Sequence, residues 1–278
     1  MTSTLARGVQ RSRGFQLQAS DFSDMENASF IALSRQMVLQ RQMDLIANNI
    51  ANINTPAYKG EKMVFVEYLA PVDPNATASA GGNTLSYVED VAEVRDTSAG
   101  SFTPTGNTFD LAIHGSAYFV VDTPLGQRFT RNGRFSLDSS GKLVTSDGYA
   151  VLDSNDQPIV IPQDAINVQI AQDGTVTSGS AGAVPQVSNS LGQIKLVGFA
   201  NEQALSKTGS GLYTTDQPPQ PATGASVEQG MVEESNVQPV LEITRMIQTH
   251  RNYDNAENVI NADNQMETDA IDKLTRTG

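Results

Sequence analysis

Between Met25 and Lys59, apolar residues recur at Leu39, Met43, Ile46, Ile50 and Ile53, in steps of four, three, four and three. That rhythm keeps one stripe on one side of an α-helix, nearer to the narrow seam of a coiled coil than to a broad core face. The flanks are amides more than charges: Gln36, Gln40, Gln42, Asn48, Asn49, Asn52 and Asn54. Asparagine is a weak helix-interior residue because its amide competes for backbone hydrogen bonds. A helix with four asparagines between positions 48 and 54 draws its stability from a partner rather than from propensity. Asn54-Thr55-Pro56 ends it, since proline pushes the preceding residue out of helical angles. The pattern fits an amphipathic helix on a domain surface as well as one that packs in an assembly.

A second helical period runs from Val237 to about Arg276. Val240, Ile243 and Ile247 share a face, as do Tyr253, Ala256 and Ile260, and then Met266, Ala270 and Leu274. Asp254, Asp263 and Asn264 interrupt the stripe, so a strict two-stranded zipper is excluded. Asn236 stands where an N-cap is expected.

Between the two helices the period changes. Met63 to Leu69 alternates as a strand or extended connector would, completing an N-terminal segment at 25–70. Residues 71–87, including PVDPNATASAGGN, read as a flexible linker without a hydrophobic period. From 88 to 217 short β-prone runs alternate with turn signals, among them Leu111–Ile113, Tyr118–Val121, Phe129–Arg131, Arg134–Leu137, Lys142–Thr145, Ile159–Ile161, Val168–Ile170, Thr175–Thr177 and Ile194–Phe199. Asn132-Gly133, Ser140-Gly141 and Asp147-Gly148 punctuate them, and Asn-Gly and Asp-Gly suit tight turns that need positive φ. Pro218-Pro219-Gln220-Pro221 opens a second linker at 218–235, and 236–278 is the C-terminal helix. The fold class expected is α+β, with long terminal helices around a central antiparallel all-β domain. Each terminal helix must bury its stripe, and the nearest candidates are the other helix and copies of the chain.

Residues 1–24 stand apart. They carry Arg7, Arg11 and Arg13 with no acid before Asp21, and no continuous apolar run, so a secretory signal peptide is not expected. They read as a disordered extension, or as sequence upstream of a native start at Met25.

Charge narrows the partners. Eighteen Lys and Arg against 31 Asp and Glu give a formal net charge of −13, which repels nucleic acid and anionic membranes. No apolar run reaches the roughly 18 to 20 residues that cross a bilayer, so membrane insertion is not expected. The absence of cysteine excludes disulfides and thiolate metal sites.

Candidate chemistry is sparse. Asp110, His114 and Ser116 lie within seven residues of one strand region, where a triad rarely converges. His250 has no second histidine at metal spacing. Asp153, Asn155 and Asp156 suggest a calcium loop, but Pro158 replaces the glycine that such a loop needs and Asp164 its final glutamate. Gly81-Gly82 has no lysine after it to make a phosphate cradle. No catalytic, cofactor-binding or metal residue is expected.

Ala47-Asn48-Asn49-Ile50-Ala51-Asn52-Ile53-Asn54-Thr55 with Tyr58-Lys59 resembles the N-terminal signature of the flagellar basal-body rod and hook proteins. Leu33-Ser34-Arg35-Gln36-Met37 is most similar to the proximal-rod branch. Phe129-Thr130-Arg131, Gly133, Phe135, Leu137-Asp138, Gly141, Leu143-Val144 and Gly148-Tyr149 resemble the family's internal block, and Gln229-Gly230 with Glu233, Ser235, Asn236 and Val237 its approach to the C-terminal helix. The resemblance implies a structural subunit, not an enzyme, that assembles with itself and other rod subunits into a torque-transmitting tube. The helices would pair as a coiled-coil-like inner layer with the β domain outside. Assembly would then rest on Leu39, Met43, Ile46, Asn48, Asn49, Ile50, Asn52 and Ile53 in the first helix. In the second it would rest on Val240, Ile243, Ile247, Tyr253, Ile260, Met266 and Leu274. It also implies passage through the flagellar type III export apparatus without a cleaved signal, to a periplasmic rod. A distal-rod or hook-type subunit is the near alternative. A secreted β-rich adhesin is the distant one, disfavoured by 6% aromatic residues and no tryptophan.

Overall fold

The computed structural model describes residues 19–71, 84–180 and 188–276, with the side chains of 19–30, 65–71, 84–91, 180, 188 and 274 left aside. Two long helices frame the chain: α1, Ala19–Ala51, and α2, Pro239–Arg276. Proline at the first helical position of α2 suits a site whose N–H has no helical partner. Glu242 in its first turn and Lys273 and Arg276 in its last complement the helix dipole. Asn236 does not cap it; the helix starts three residues later, and the Asn236 amide is engaged elsewhere. Residues 1–18 of the expected N-terminal extension lie outside the described residues, whereas Ala19–Asp24 are the first turns of α1.

Among the described residues eighteen strands separate the helices. β1 (Glu61–Pro71) pairs with β2 (Thr84–Arg95). β3 (Phe102–Pro104), β4 (Leu111–His114), β5 (Tyr118–Thr123), β6 (Gly126–Thr130), β7 (Phe135–Leu137), β8 (Leu143–Thr145) and β9 (Ala150–Val151) follow. Then come β10 (Ala165–Ile170), β11 (Thr175–Ser180), β12 (Ser188–Gln193), β13 (Leu196–Gly198), β14 (Ser206–Lys207) and β15 (Leu212–Thr214). The last are β16 (Gln220–Pro221), β17 (Ser226–Gln229) and β18 (Met231–Glu233). The largest sheet has nine strands: β14-β15-β6-β5-β9-β8-β7, with β13 joining β5 to β16. β10-β11-β12 form a second sheet, and β17-β4 and β18-β3 are two-stranded. The pairings from β3 onward are antiparallel, so the α+β class holds.

β5 shows why the centre holds. Its side chains alternate between two faces. Phe119 and Val121 enter one buried cluster with Leu111, Ile113, Leu143 and Val176. Tyr118 and Val120 enter the other with Phe129, Leu152 and Tyr213. A strand buried on both faces reads as an unbroken apolar run, as Tyr118–Val121 does.

Both expected linkers need correction. β2 begins at Thr84 inside the first, whose residues 72–83 lie outside the described set. The second, 218–235, carries β16, β17 and β18. Proline is tolerated there because, among the described strands, β16 pairs only with β13. Single apolar anchors, Val227 and Val232, are fully buried, and one anchor per strand leaves no period to read. The β domain therefore closes at Glu233 through β17 on β4 and β18 on β3.

The chain divides into two compact units that cut both helices. One comprises the described parts of 1–40, 67–89 and 251–278; the other comprises 41–66 and 90–250. In the first, Ile31, Ala32 and Arg35 of α1 and Asn252, Ala256 and Val259 of α2 line one groove of about 380 Å³.

Candidate functional site

The asparagine-rich end of α1 lies in the larger unit, and its amides are employed within the chain. Asn52 Nδ2 donates to the Asn48 carbonyl at 2.9 Å, and Thr55 Oγ1 to Asn52 Oδ1 at 3.2 Å, turning the chain after Ala51. Ala57 takes a φ of 54°, rare for a non-glycine residue. Its N–H then reaches the Glu233 carbonyl at 2.8 Å. Asn49, only 2% exposed, acts as a strand neighbour would: Oδ1 accepts from Glu61 N at 3.1 Å while Nδ2 donates to the Glu61 carbonyl at 2.8 Å. Nδ2 also faces Glu242 Oε2 in the first turn of α2 at 3.5 Å. Asn236 completes the join, accepting from Gly60 N at 2.8 Å and donating to the Asp96 and Ser98 carbonyls.

Tyr58 donates its hydroxyl to Asn48 Oδ1 at 2.8 Å, and Lys207 Nζ sits 4.3 Å from its ring centroid. Burial first, and then the Glu61 carboxylate, pushes the phenol from 10.0 up to about 12. A raised acid stabilises its folded, protonated form. That contribution is full below pH 10 and lost as the pH climbs through about 12. Tyr58→Phe should cost about 1 kcal/mol by loss of the bond and remove this alkaline dependence, which thermal unfolding at pH 7 and pH 11 measures.

Beneath the turn lies a cluster of three charged side chains. Lys59, 2% exposed, donates to Glu233 Oε1 at 2.6 Å and to the Ser98 carbonyl at 2.7 Å. Arg131 meets Glu233 Oε2 at 3.0 Å and donates to the carbonyls of Ile113, Gly115 and Ala117. Gly100 N gives Glu233 a further donor at 3.0 Å. Burial alone would raise the Glu233 carboxyl; Arg131 and Lys59 outweigh it and hold it below its usual range. Burial, then Arg131, pulls the Lys59 ammonium down against the pull of Glu233. Lys59 and Glu233 are 174 residues apart, so no local spacing could have brought them together.

The expected assembly residues divide sharply. In α1, Leu39 and Ile46 are buried already, and Met43, Ile50 and Ile53 are half-buried. Asn48, Asn49 and Asn52 bond within the chain as described. In α2 the stripe is open: Val240 is 78% exposed, Ile243 48% and Ile247 50%. Met266 is exposed, Tyr253 and Ile260 are half-buried, and the side chain of Leu274 lies outside the described residues.

The set-aside chemistry disperses. His114 Nε2 pairs with Glu228 at 2.7 Å while Asp110 accepts from Asn107. The Asp153 carboxylate accepts from Asn155 N and Gln157 N as a turn residue. Among the described residues no three His, Cys, Asp or Glu side chains gather as metal ligands. No helix among them is long and apolar enough to cross a membrane.

A β domain clamped to the inner ends of two long helices, with an apolar helical face left open, defines a structural subunit. The family described as "Flagella basal body rod protein" matches residues 31–59, "Flagellar hook protein FlgE/F/G D1 domain" residues 112–178, and "Flagellar basal body rod FlgEFG protein C-terminal" residues 228–273. The flagellar basal-body rod protein FlgF of Caulobacter vibrioides is 39% identical over 90% of this chain and 98% of its own length. FlgF of Mesorhizobium japonicum is 34% identical over 83% and 90%, and FlgG of Bacillus subtilis 34% over 87% and 97%. The chain belongs to the flagellar basal-body rod protein family. It is a structural rod subunit rather than an enzyme, it sits in the basal body, and it assembles with other rod components. The adhesin alternative finds no support in these matches.

Proposed function

We propose that the chain occupies the proximal part of the rod. It polymerises there with itself and neighbouring rod subunits through α1 and α2, as part of the shaft that carries torque across the periplasm. The open Val240–Ile243–Ile247 face is the observation that carries this reading. A lone chain leaves three large apolar side chains in water on one side of a helix, at about 25 cal/mol per Å² of apolar surface. Met43, Ile50 and Ile53, half-buried, contribute what remains exposed of the α1 seam, and Tyr253, Ile260 and Met266 extend the α2 surface. Placement beside FlgF rather than FlgG rests on the higher identity to a FlgF relative. Delivery through the flagellar type III apparatus without a cleaved signal accords with the sparse apolar content of residues 1–24.

Basal bodies purified from the native organism test this reading. Mass spectrometry should find the chain in the rod fraction, and deletion of the gene should leave cells without a complete rod or swimming. Complete basal bodies in the deletion strain would overturn the reading.

A further inference from the structure

We infer that Asp147-Gly148 is a site of spontaneous backbone modification, aspartate to isoaspartate, and that the fold guards the two other residue pairs open to the same chemistry. The inference concerns the covalent chain itself, so its failure would leave the rod reading standing.

Cyclisation at an Asn-Gly or Asp-Gly pair needs an unhindered glycine nitrogen and a side-chain carbonyl free to meet it. At Asp147 the Gly148 nitrogen attacks Cγ of the protonated carboxyl, and a C–N bond forms. The carboxyl hydroxyl leaves with the amide proton as water. Water then reopens the five-membered imide by breaking one of its two C–N bonds. Attack at Cγ restores aspartate; attack at the α-carbonyl leaves the backbone running through Cγ, one atom longer. No atom is gained or lost overall.

The sequence holds three such pairs: Asn132-Gly133, Asp147-Gly148 and Asp173-Gly174. The last two occupy matching turns, β8 to β9 and β10 to β11. Gly148 N donates to the Thr145 carbonyl and Gly174 N to the Ala171 carbonyl, each at 2.9 Å. Thr145 N donates to the Tyr149 carbonyl and Ala171 N to the Thr175 carbonyl, again at 2.9 Å. The glycine φ is 84° in one and 83° in the other.

The two aspartates nonetheless differ. Asp173 Oδ1 accepts from Thr175 N and Oδ2 from Thr175 Oγ1, both at 2.9 Å. The Thr175 N–H first, and then its hydroxyl, hold this carboxyl below its usual range, away from the acid form that cyclises. Tyr149 takes the place of Thr175 in the other turn, and its N–H goes instead to Thr145 Oγ1 at 3.2 Å. Among the described residues no hydrogen bond or ion pair holds the exposed Asp147 carboxylate. The glycines differ as well. Gly174 is buried, and its carbonyl accepts from Ile194 N at 2.9 Å. Gly148 is exposed, with nothing within 4 Å of the place a Cβ would take. Asn132 is held by a bond from Arg134 N to its Oδ1 at 3.0 Å, and Gly133 is buried against the Leu111 backbone.

Peptide mapping of the full chain, stored folded at pH 6 and 37 °C, tests this, with isoaspartyl and aspartyl peptides separated by chromatography at equal mass. Isoaspartate should accumulate at Asp147 about tenfold faster than at Asp173, roughly the weight of a hydrogen bond to a charged group. It should accumulate faster at pH 6 than at pH 8, because only the acid form cyclises. Asn132 should keep its mass, and in urea the preference for Asp147 over Asp173 should vanish. Thr175→Val removes one guard and should speed Asp173 severalfold, with Asp147 unchanged. Equal rates at the two aspartates in the folded chain would overturn the inference, as would earlier loss at Asn132 or an undiminished preference in urea. An Asp173 rate unmoved by Thr175→Val would overturn it too. Should that variant fail to fold, the wild-type comparison of Asp147 with Asp173 decides alone.

Discussion

Gly133→Ala should destabilise the β domain by about 4 kcal/mol or more and lower its melting temperature by roughly ten degrees or more. Gly133 is buried, its carbonyl accepts from Leu111 N at 2.9 Å, and Phe135 N reaches back to the Phe109 carbonyl at 3.3 Å. A Cβ on Gly133 would stand 1.6 Å from the Leu111 carbonyl oxygen and 2.7 Å from its carbon. Both are backbone atoms of the segment entering β4, which is pinned by its pairing to β17, so no flexible side chain can give way. Such a clash belongs with the rare substitutions that cost about 4 kcal/mol or more, set against a total stability of roughly 5–15 kcal/mol. Gly148→Ala is the internal comparison: φ is +84° but nothing lies within 4 Å of the added carbon. It should cost about 1 kcal/mol, the penalty of a left-handed non-glycine residue. Thermal unfolding followed by circular dichroism separates the two. A Gly133→Ala protein melting within a few degrees of wild type would refute the close approach.

The contrast between these glycines shows how far turn chemistry could be read. Asp147-Gly148 and Ser140-Gly141 are turns with positive φ at the glycine, as their residue types suggest. Asn132-Gly133 has the same signature for a different reason: Asn132 Oδ1 accepts from Arg134 N, and the glycine is required by the backbone beside it. Sequence cannot distinguish a glycine needed for its angle from one needed for its missing side chain.

Strand runs with strong apolar character were legible, and Tyr118–Val121 became the doubly buried centre of the large sheet. Ile159–Ile161 is buried at Ile159 and Ile161 but joins the fold by isolated bridges rather than as a strand. β16, β17 and β18 were hidden because prolines and single valines carry no period. The α1 stripe was visible as a helix, yet its division between inward and outward use was not. Leu39 and Ile46 are buried in a single chain, and Asn49 is buried by hydrogen bonds rather than by apolar contact. Lys59, Arg131, Glu233 and Asn236 were invisible as a cluster. Their meeting depends on β18 returning to β3, a pairing across more than a hundred residues. All four fell within the family resemblance, where their presence was evident but their contacts were not.

Ile243→Asp combined with Ile247→Asp should abolish rod assembly while sparing the subunit. Both side chains are about half exposed on α2 in the larger unit, so new carboxylates meet water in the monomer and cost its fold little. Against a neighbouring subunit the same carboxylates would be buried without a partner, each at several kcal/mol. A helical polymer repeats that penalty at every subunit, and incorporation should fail outright. Val240, one turn earlier and 78% exposed, lies on the same face, and Val240→Asp should act in the same direction. The most direct measurement is the composition of basal bodies purified from a deletion strain that expresses the doubly substituted chain. The expected result is a soluble variant with wild-type circular dichroism, absent from the rod fraction, in cells that do not swim; complete basal bodies carrying the variant at wild-type abundance would contradict assembly through this face.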